Sequence, residues 1–525
     1  MEPRTMEASV NKDRLEVSGH ESGSHNLSIV SPSHRLHEQR ARAEELDLER
    51  AEKSAQRIAL HKYISSQQKN VQFTPDRQSD FSVMTFRTDA SSVPEKSRLG
   101  TLILEQDWFS VYKRLYVASL LLNIIGLVLA TTGYFPYAST RAALFCLGNI
   151  LMVVLVRSEV ILRIVYWLAV RLLGYPWVPL RLKTMTTSLL QSLGGIHSGC
   201  GLGAIMWLVY SLVLDFQYRH IASIQIVGVG LGILVLLVLS ALAAFPILRH
   251  LHHNLFERVH RFAGWSAVGM VWVYVVLSSF WNPVTQSYHV STKSLVQSES
   301  LWFTVATTMM IIFPWLFVRK VPVETLVAPG KLNSLLLFEG GVKPGLLKRI
   351  SPSPLSEWHA FGIISDGQTR HSILAGAVGD FTSSLMKNPP THIWVRNFHF
   401  AGLPYLVNLY DRVLLLATGS GIGVYLSFLL QETRTDMHTI WITKRVPQTF
   451  GEVLWEVVKN IPSEKLTIID TAVSGRPNPL QLVLDKAKEW RPDMVAVTSN
   501  PKGTAQIVSG CKAVGIPAFG PIWDS

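Results

Sequence analysis

Residues 412–424, RVLLLATGSGIGV, decide the fold. An unbroken apolar run from Val413 to Ala417, closed by Gly419, Gly421 and Gly423, reads as a buried parallel strand followed by a tight turn. A helical pattern continues to Leu430. Glycines at such a strand-to-helix junction let the main chain approach a pyrophosphate, and a helix N-terminus offers it unpaired N–H groups. A plain tight turn without a ligand is the other reading of these glycines alone.

Downstream, HTIWIT, GEVLWEVVKN, KLTIID, PLQLVLDKAKEW, DMVAVTSN and TAQIVSGCKAVG alternate strand and helix patterns, which predicts a parallel, doubly wound sheet over 411–525. Thr443, Lys444 and Arg445 follow its second strand, where the 2′-phosphate of NADPH would sit; solvated loop charge reads equally well. Upstream, over 321–410, short runs such as NSLLLFEG, GLLKRIS, EWHAFGII, HSILAG and THIWVR, broken by Gly and Pro, predict a small β-barrel. A barrel followed by a nucleotide-binding α/β domain is the arrangement in which a flavin and a nicotinamide face each other. Within it, the segment Gly379, Asp380, Phe381, Thr382, Ser383, Ser384 opens a short helix, either to hold a flavin diphosphate or as an ordinary N-cap. The rings of His359 and Phe361 lie on a strand, to pack on an isoalloxazine or in the core.

Further upstream, apolar runs approach the roughly 20 residues a helix needs to cross a bilayer. They are Leu115–Tyr134, Ala142–Val156, Ser198–Phe216, Ile224–Leu248, Phe262–Phe280 and Leu301–Val318. Six crossings leave both chain ends on one side, and the excess of Lys and Arg in the 157–197 and 249–261 loops makes that side the cytosol. Between the second and third spans, Ile161, Ile164, Val165, Leu168 and Leu172 recur at helical spacing. This predicts a helix on the cytosolic face, with Arg163 and Arg171 reaching lipid phosphates, or a prolongation of the second span. Residues 1–110 are polar and predict a disordered cytosolic tail.

The composition agrees. The 525 residues are 48% hydrophobic and 16% charged, and nine of the twelve excess positive charges lie in 101–320. Charge so placed orients membrane loops and excludes a nucleic-acid binder, which needs many more exposed cations. Three scattered cysteines, Cys146, Cys200 and Cys511, exclude a disulfide framework and a CxxC metal site.

Read together, the stretch His359 to Ser365 (HAFGIIS) resembles the HPFTxxS flavin motif of the ferric reductase and NADPH oxidase superfamily. The stretch Gly379 to Thr382 (GDFT) resembles the GDWT that follows it there, and Gly421 and Gly423 resemble its nicotinamide-site glycines. EWHAFGII, HRFAGW and the ending GIPAFGPIWDS (515–525) are similar to the fungal TmpA-type integral membrane flavoproteins, a group associated with sporulation signalling and secondary metabolism. The resemblance implies FAD in the barrel, NADPH on the α/β domain and hydride transfer between them. It implies flavin contacts from His359, Phe361 and Ser365, phosphate contacts from Gly379, Thr382 and Ser383, pyrophosphate contacts from Gly419, Gly421 and Gly423, and an aromatic stack from Trp523. Two departures stand out: Ala360 and Gly362 replace the proline and threonine of HPFT, and Ser499, Asn500 and Pro501 replace a Cys-Gly-Pro.

In the superfamily, two histidine pairs hold two haems. Here only an inner pair is present, His197 and His260. Thirteen and fourteen residues further on stand Tyr210 and Ser211, and Val273 and Tyr274. One haem on the inner pair and interfacial histidines without metal both remain open.

The expectation is therefore a membrane protein: a six-helix transmembrane bundle (111–320), a cytosolic β-barrel FAD domain (321–410) and an α/β, ferredoxin-reductase-like NADP-binding domain (411–525). Its function would be to pass electrons from NADPH through FAD to an unidentified acceptor, with the lipid bilayer as its surroundings and no nucleic acid as partner. A catalytically degenerate redox sensor and a transmembrane ferric reductase are the alternatives.

Overall fold

The computed structural model describes residues 110–218, 220–245, 248–249 and 253–521. The tail expected over 1–110, apart from Ser110, and the C-terminal Trp523 lie outside them. The helical part comprises α1 (Val111–Thr131), α2 (Ala142–Leu155), α3 (Glu159–Leu173), α4 (Leu180–Gln191), α5 (Gly194–Gln217), α6 (Ile224–Ala243), α7 (His253–Phe280) and α8 (Glu299–Ile312). By length and composition α1, α5, α6, α7 and α8 with its 3-10 extension Phe313–Phe317 are able to cross a bilayer. With 14 residues, α2 is only about 21 Å long, against a hydrocarbon core of about 30 Å.

The chain leaves α2 at a 66° bend, so α3 does not prolong it as a straight helix; counted as one broken span, the pair brings the helices able to cross to six. Ser158, extended at ψ 117°, is the N-cap that breaks the helix. Close packing of α1 on α5 rests on Gly195, Gly199 and Gly203, four residues apart, where any Cβ would strike Tyr112, Ser119 or Asn123. Beside Gly203, Asn149 Nδ2 and Trp207 Nε1 both donate to Asn123 Oδ1, at 2.8 and 2.9 Å.

A curled antiparallel sheet follows. It contains β1 (Val318–Pro322), β2 (Glu324–Val327), β3 (Asn333–Glu339), β4 (Leu346–Ser351), β5 (His359–Ser365), β6 (Arg370–Gly376), then α9 (Asp380–Lys387), β7 (His392–Arg396) and β8 (Phe400–Ala401). The strand order is β1-β7-β4-β5-β6-β3-β2, with β8 added to β4. The expected barrel is thus open along one seam. Its edge strands β1 and β2 are joined by the single residue Val323, too short a link for a hairpin between them. Leu336, Ile350, Ile363 and Ile373 fill its core.

The last part is β9 (Arg412–Thr418), α10 (Leu426–Leu430), β10 (Asp436–Thr443), α11 (Glu452–Lys459), β11 (Leu466–Asp470), α12 (Pro479–Trp490), β12 (Met494–Thr498), α13 (Pro501–Ala513) and β13 (Ala518–Phe519). All five strands are parallel in the order β11-β10-β9-β12-β13. Central and covered on both faces, β9 carries an uninterrupted apolar run for that reason.

One expectation is corrected here: the glycine turn does not open a long helix. Gly419–Val424 is a 3-10 turn and α10 has five residues, too few to offer a pyrophosphate a helix N-terminus of any strength. The physical reason is lateral packing. Leu426, Phe428 and Leu429 are buried, and Ser427 Oγ donates to Ile363 O at 2.5 Å and accepts from Ser365 N at 2.9 Å, which pins α10 to β5.

The elbow α3–α4 joins the three parts. Leu162, Val165, Tyr166 and Ala169 of α3 pack into the core of the two sheets. From α4, Lys183 pairs with Asp411 at 3.6 Å, Thr187 Oγ1 lies 2.7 Å from Tyr410 Oη, and Gln191 Nε2 donates to Gly520 O at 3.2 Å. Arg163, expected to reach lipid phosphates, instead lies over the Tyr405 ring at 4.8 Å.

Candidate functional site

Three segments far apart in sequence meet between the two sheets. The His359 ring at the start of β5 stacks on Phe381 in the first turn of α9, centroids 4.4 Å apart and planes 9° apart. Gly362 abuts the glycine turn: a Cβ there would meet Gly423 O and Val424 N, each at 2.8 Å. Gly376, at the end of β6 and three residues before the cap of α9, faces Ser420 Oγ at 2.8 Å from the position of a Cβ. Together they place the meeting of the two sheets at the carboxyl edge of the parallel sheet, the position at which open α/β sheets bind ligands in a crevice.

The expected residues divide into those the crevice leaves open and those the fold has used. Gly419 has φ +55° and nothing within 4 Å of a Cβ, which leaves space on that side, while its carbonyl accepts from Trp441 Nε1 at 2.8 Å. Gly421 and Gly423 are packing glycines, against Thr498 and Leu374 respectively. At α9, Gly379 also has open space around it, and Ser383 lies in the first turn. Thr382 Oγ1, however, accepts from Val378 N and Gly379 N at 3.1 and 3.0 Å and donates to Gly379 O, so it holds the cap itself. Ser365, expected at the flavin, is buried instead: its Oγ accepts from Val342 N and Gly367 N and donates to Arg370 O. Phe361 is half-buried against the core, in register with Lys348 on β4.

At the strand ends, Lys444 and Arg445 are exposed. Arg445 is left-handed at φ 42°, and its N–H donates to the Asp470 carboxylate, both oxygens at 3.1 Å. Thr443 and Thr498, at the carboxyl ends of β10 and β12, are buried, and the Thr498 hydroxyl bonds Tyr425.

The crevice is tied to the helices through residues the sequence reading missed. Glu159, at the first position of α3, is shared between Arg349 of β4 at 2.5 Å and Arg396 of β7 at 2.6 Å. Arg396 in turn lies over Trp358 at 4.8 Å, and Arg349 donates to Trp358 O at 3.3 Å. On α7, Arg258 pairs with Glu357 at 3.2 Å and Arg261 donates to Leu355 O and Ser356 O, both at 3.1 Å. The loop entering β5 is therefore held to the helix that bears His260. One sequence signal was available: Glu159 is the sole acidic residue between Asp107 and Asp215.

His197 on α5 and His260 on α7 face each other with centroids 6.2 Å apart. Their Nδ1 atoms are engaged, His197 with Val153 O at 3.0 Å and His260 with Ser240 Oγ and O at 2.9 and 3.1 Å. That leaves Nε2 of each for a ligand, the second-shell arrangement common to metal-bound imidazoles. Imidazole–metal bonds of about 2.0–2.1 Å on opposite sides of one metal place ring centroids roughly 6 Å apart. That separation is compatible with His197 and His260 together holding one haem. No group of three His, Cys, Asp or Glu suited to a bare cation occurs among the described residues.

A second unforeseen cluster lies inside the curled sheet. Lys348 is 3% exposed, its ammonium 4.2 Å from the Phe338 centroid, and Nζ donates to His371 Nε2 at 2.8 Å, while His371 Nδ1 donates to Gly340 O at 2.5 Å. His399 lies edge-on to His371 at 5.6 Å. Burial pushes Lys348 down to about 8. Burial and the Lys348 charge push His371 down to about 4, and the same two causes, with His371 and Arg163, push His399 down to about 3. Both imidazoles therefore bind protons more readily in the unfolded chain. Their contribution is present above the unfolded value of about 6.5 and is lost as pH falls through the folded values, at about 1.4 kcal/mol per pH unit for each histidine. The melting temperature of the purified protein is expected to fall between pH 7 and pH 5. Lys348→Met should make that fall shallower by removing the charge that depresses both rings; an unchanged slope would refute this account.

A curled antiparallel sheet followed by a parallel sheet of order 3-2-1-4-5, meeting at a glycine-lined crevice, is a ferredoxin-reductase-like architecture. Residues 403–525 match the family described as adenylate-forming reductase 03009, C-terminal domain. Two relatives from Coprinopsis cinerea, adenylate-forming reductases 06235 and 03009, are each 33% identical to this chain, over 444 and 441 residues. Each match covers 82% of this chain and 42% of the relative, so the chain spans about two-fifths of the length of the curated relatives it matches. Among solved structures, a ferredoxin-NADP+ reductase of Plasmodium falciparum with 2′P-AMP aligns with TM-score 0.30 and 13% identity, covering 39% of this chain and 94% of that one. Phthalate dioxygenase reductase aligns with TM-score 0.31 and 11% identity, covering 39% of this chain and 69% of that one.

Proposed function

We propose that this chain is a membrane-spanning NAD(P)H-dependent flavin oxidoreductase of the TmpA type, within the ferric reductase and NADPH oxidase superfamily, with both chain ends in the cytosol. The observation that carries the reading is the convergence of His359, Phe381 and the Gly419–Val424 turn on one crevice. FAD would supply the hydride-accepting ring there. Gly379 and the first turn of α9 would take its diphosphate, the His359–Phe381 stack would border its ring system, and the Gly419 turn would receive the dinucleotide. The chain's own part is orientation and exclusion of water, because in such enzymes the cofactors carry the chemistry. Electrons would leave toward the inner ends of α5 and α7, to which the entry of β5 is tied.

The relatives are adenylate-forming reductases by name, which makes an adenylate one reading for the acceptor. A redox sensor without turnover is the second reading of the same crevice. The observation that favours it is the absence of a hydroxyl at Gly362.

The deciding measurement is the absorption spectrum of the purified full chain before and after anaerobic NADPH. A flavin band that bleaches is the expected result, with NADPH acting faster than NADH. A flavin band that stays selects the sensor, and no flavin band overturns both readings. A Soret band would report the His197–His260 pair. Gly419→Val forces a β-branched residue into the left-handed region without a clash, and should slow bleaching at least about tenfold while flavin stays bound. Gly421 is a poor probe, since its substitution breaks packing on Thr498.

A further inference from the structure

The elbow α3–α4 has two apolar faces. On α3 the stripe Leu162, Val165, Tyr166, Ala169 enters the core of the soluble part. The opposite stripe, Ile164, Trp167, Leu168 and Leu172, is exposed, Leu172 at 62%. The pattern continues past the bend. Trp177 between the helices is 77% exposed and Met185 on α4 is 68% exposed, while Lys183 and Thr187 on the other side of α4 are buried against the α/β domain. A helix at the surface of a soluble module is expected to turn polar residues outward. An outer face built of tryptophan and leucine marks an interaction surface.

We propose that this outer face is a docking surface for the bilayer, seated in the headgroup–acyl boundary, so that one elbow grips both soluble domains with its inner face and lipid with its outer face. The proposal rests on the membrane-spanning reading above. Two features of the molecule select lipid as the occupant. The elbow is continuous with the spanning helices, leaving α2 at the bend after Leu155 and re-entering at α5. Its outer rim carries exposed Arg171 and Arg181 beside the tryptophans, the pairing of cations with amphipathic rings that interfacial helices use. The consequence is mechanical. Lys183, Thr187 and Gln191 hold the α/β domain while Glu159 holds the curled sheet, so the elbow's seating in lipid sets how the crevice stands over the inner ends of α5 and α7.

The test places a nitroxide label at one site at a time in the full chain, in nanodiscs of phosphatidylcholine and phosphatidylserine. It compares collisional access of oxygen, which partitions into lipid, with that of a water-soluble nickel chelate. The native cysteines are buried, so labelling addresses Leu168→Cys, Trp177→Cys, a spanning-helix control Leu122→Cys and a soluble control Val473→Cys. The expected result is an oxygen-to-nickel ratio at Leu168 and Trp177 about tenfold above that at Val473 and approaching that at Leu122. Lipid-like values at Leu122 with water-like values at Leu168 and Trp177 overturn the docking proposal alone. Water-like values at Leu122 as well overturn the membrane reading beneath it. Spin–spin broadening at Trp177 would assign the face to a second copy of the chain and likewise overturn lipid as its occupant.

Discussion

Gly362→Thr, which restores the hydroxyl residue of the flavin motif, is expected to abolish NADPH-driven flavin reduction rather than improve it. A Cβ at this position points at Gly423 O and Val424 N, each 2.8 Å away, and at Val424 Cα. These are main-chain atoms of a turn fixed on both sides: Gly421 packs on Thr498, and α10 is pinned to β5 through Ser427. With no flexible side chain to yield, the two sheets must separate. Overpacking of this kind costs about 1–3 kcal/mol where a core can adjust, and here it also opens the crevice in which the cofactors would meet. Stopped-flow bleaching should therefore fall by at least about a hundredfold, as a misplacement of about 1 Å is enough to do. Gly362→Ala should lie between, because it carries the clash without the branch. Wild-type bleaching in Gly362→Thr would show that the turn moves freely and that the crevice is assembled differently.

Glu159→Ala is expected to destabilise the fold far more than the loss of a partner from an exposed ion pair. The carboxylate has a side-chain exposure of 10% and serves Arg349 and Arg396 together. Removing it leaves two guanidiniums facing one another without a counterion. Breaking a buried pair from one side costs about 3–5 kcal/mol. The ion pair Arg141–Glu299 supplies the comparison, since both its side chains are about half exposed. Glu299→Ala should cost no more than about 1 kcal/mol. The contrast is measurable by thermal melting in detergent. Loss of Glu159 should also loosen the 352–358 loop, read as faster hydrogen exchange there. Equal costs for the two variants would mean that Glu159 is no anchor of the curled sheet.

Much of the molecule was legible from local pattern. The apolar run 413–417 required a strand covered on both faces, and β9 is the central strand. The spacing of 161–172 required a helix, and α3 is one. The HAFG and GDFT segments were singled out separately, and the structure stacks them through His359 and Phe381. Phe381 itself was not singled out, because an aromatic in a first helical turn has no local signature of its partner. Thr382 was read as a ligand group from its type and Ser365 from the resemblance to a flavin motif, yet hydroxyls of this kind serve a neighbouring turn or cap as readily as a ligand. Only the main-chain geometry around them shows which.

What the sequence by itself determined was periodicity: which segments are helices long and apolar enough for a membrane, which are strands, and where glycines close a strand in a tight turn, as at 419–423. These follow from interactions within a few residues of one another. The tertiary structure decided which polar groups remain available. Gly421, Gly423 and Gly362 became packing contacts, Arg163 turned inward onto Tyr405, Glu159 became a shared counterion, and Lys348 was buried beside His371. Each depends on partners between 23 and 242 positions away that the chain brings together only on folding. A side chain's chemistry is read from its own identity, but its availability is read from what surrounds it.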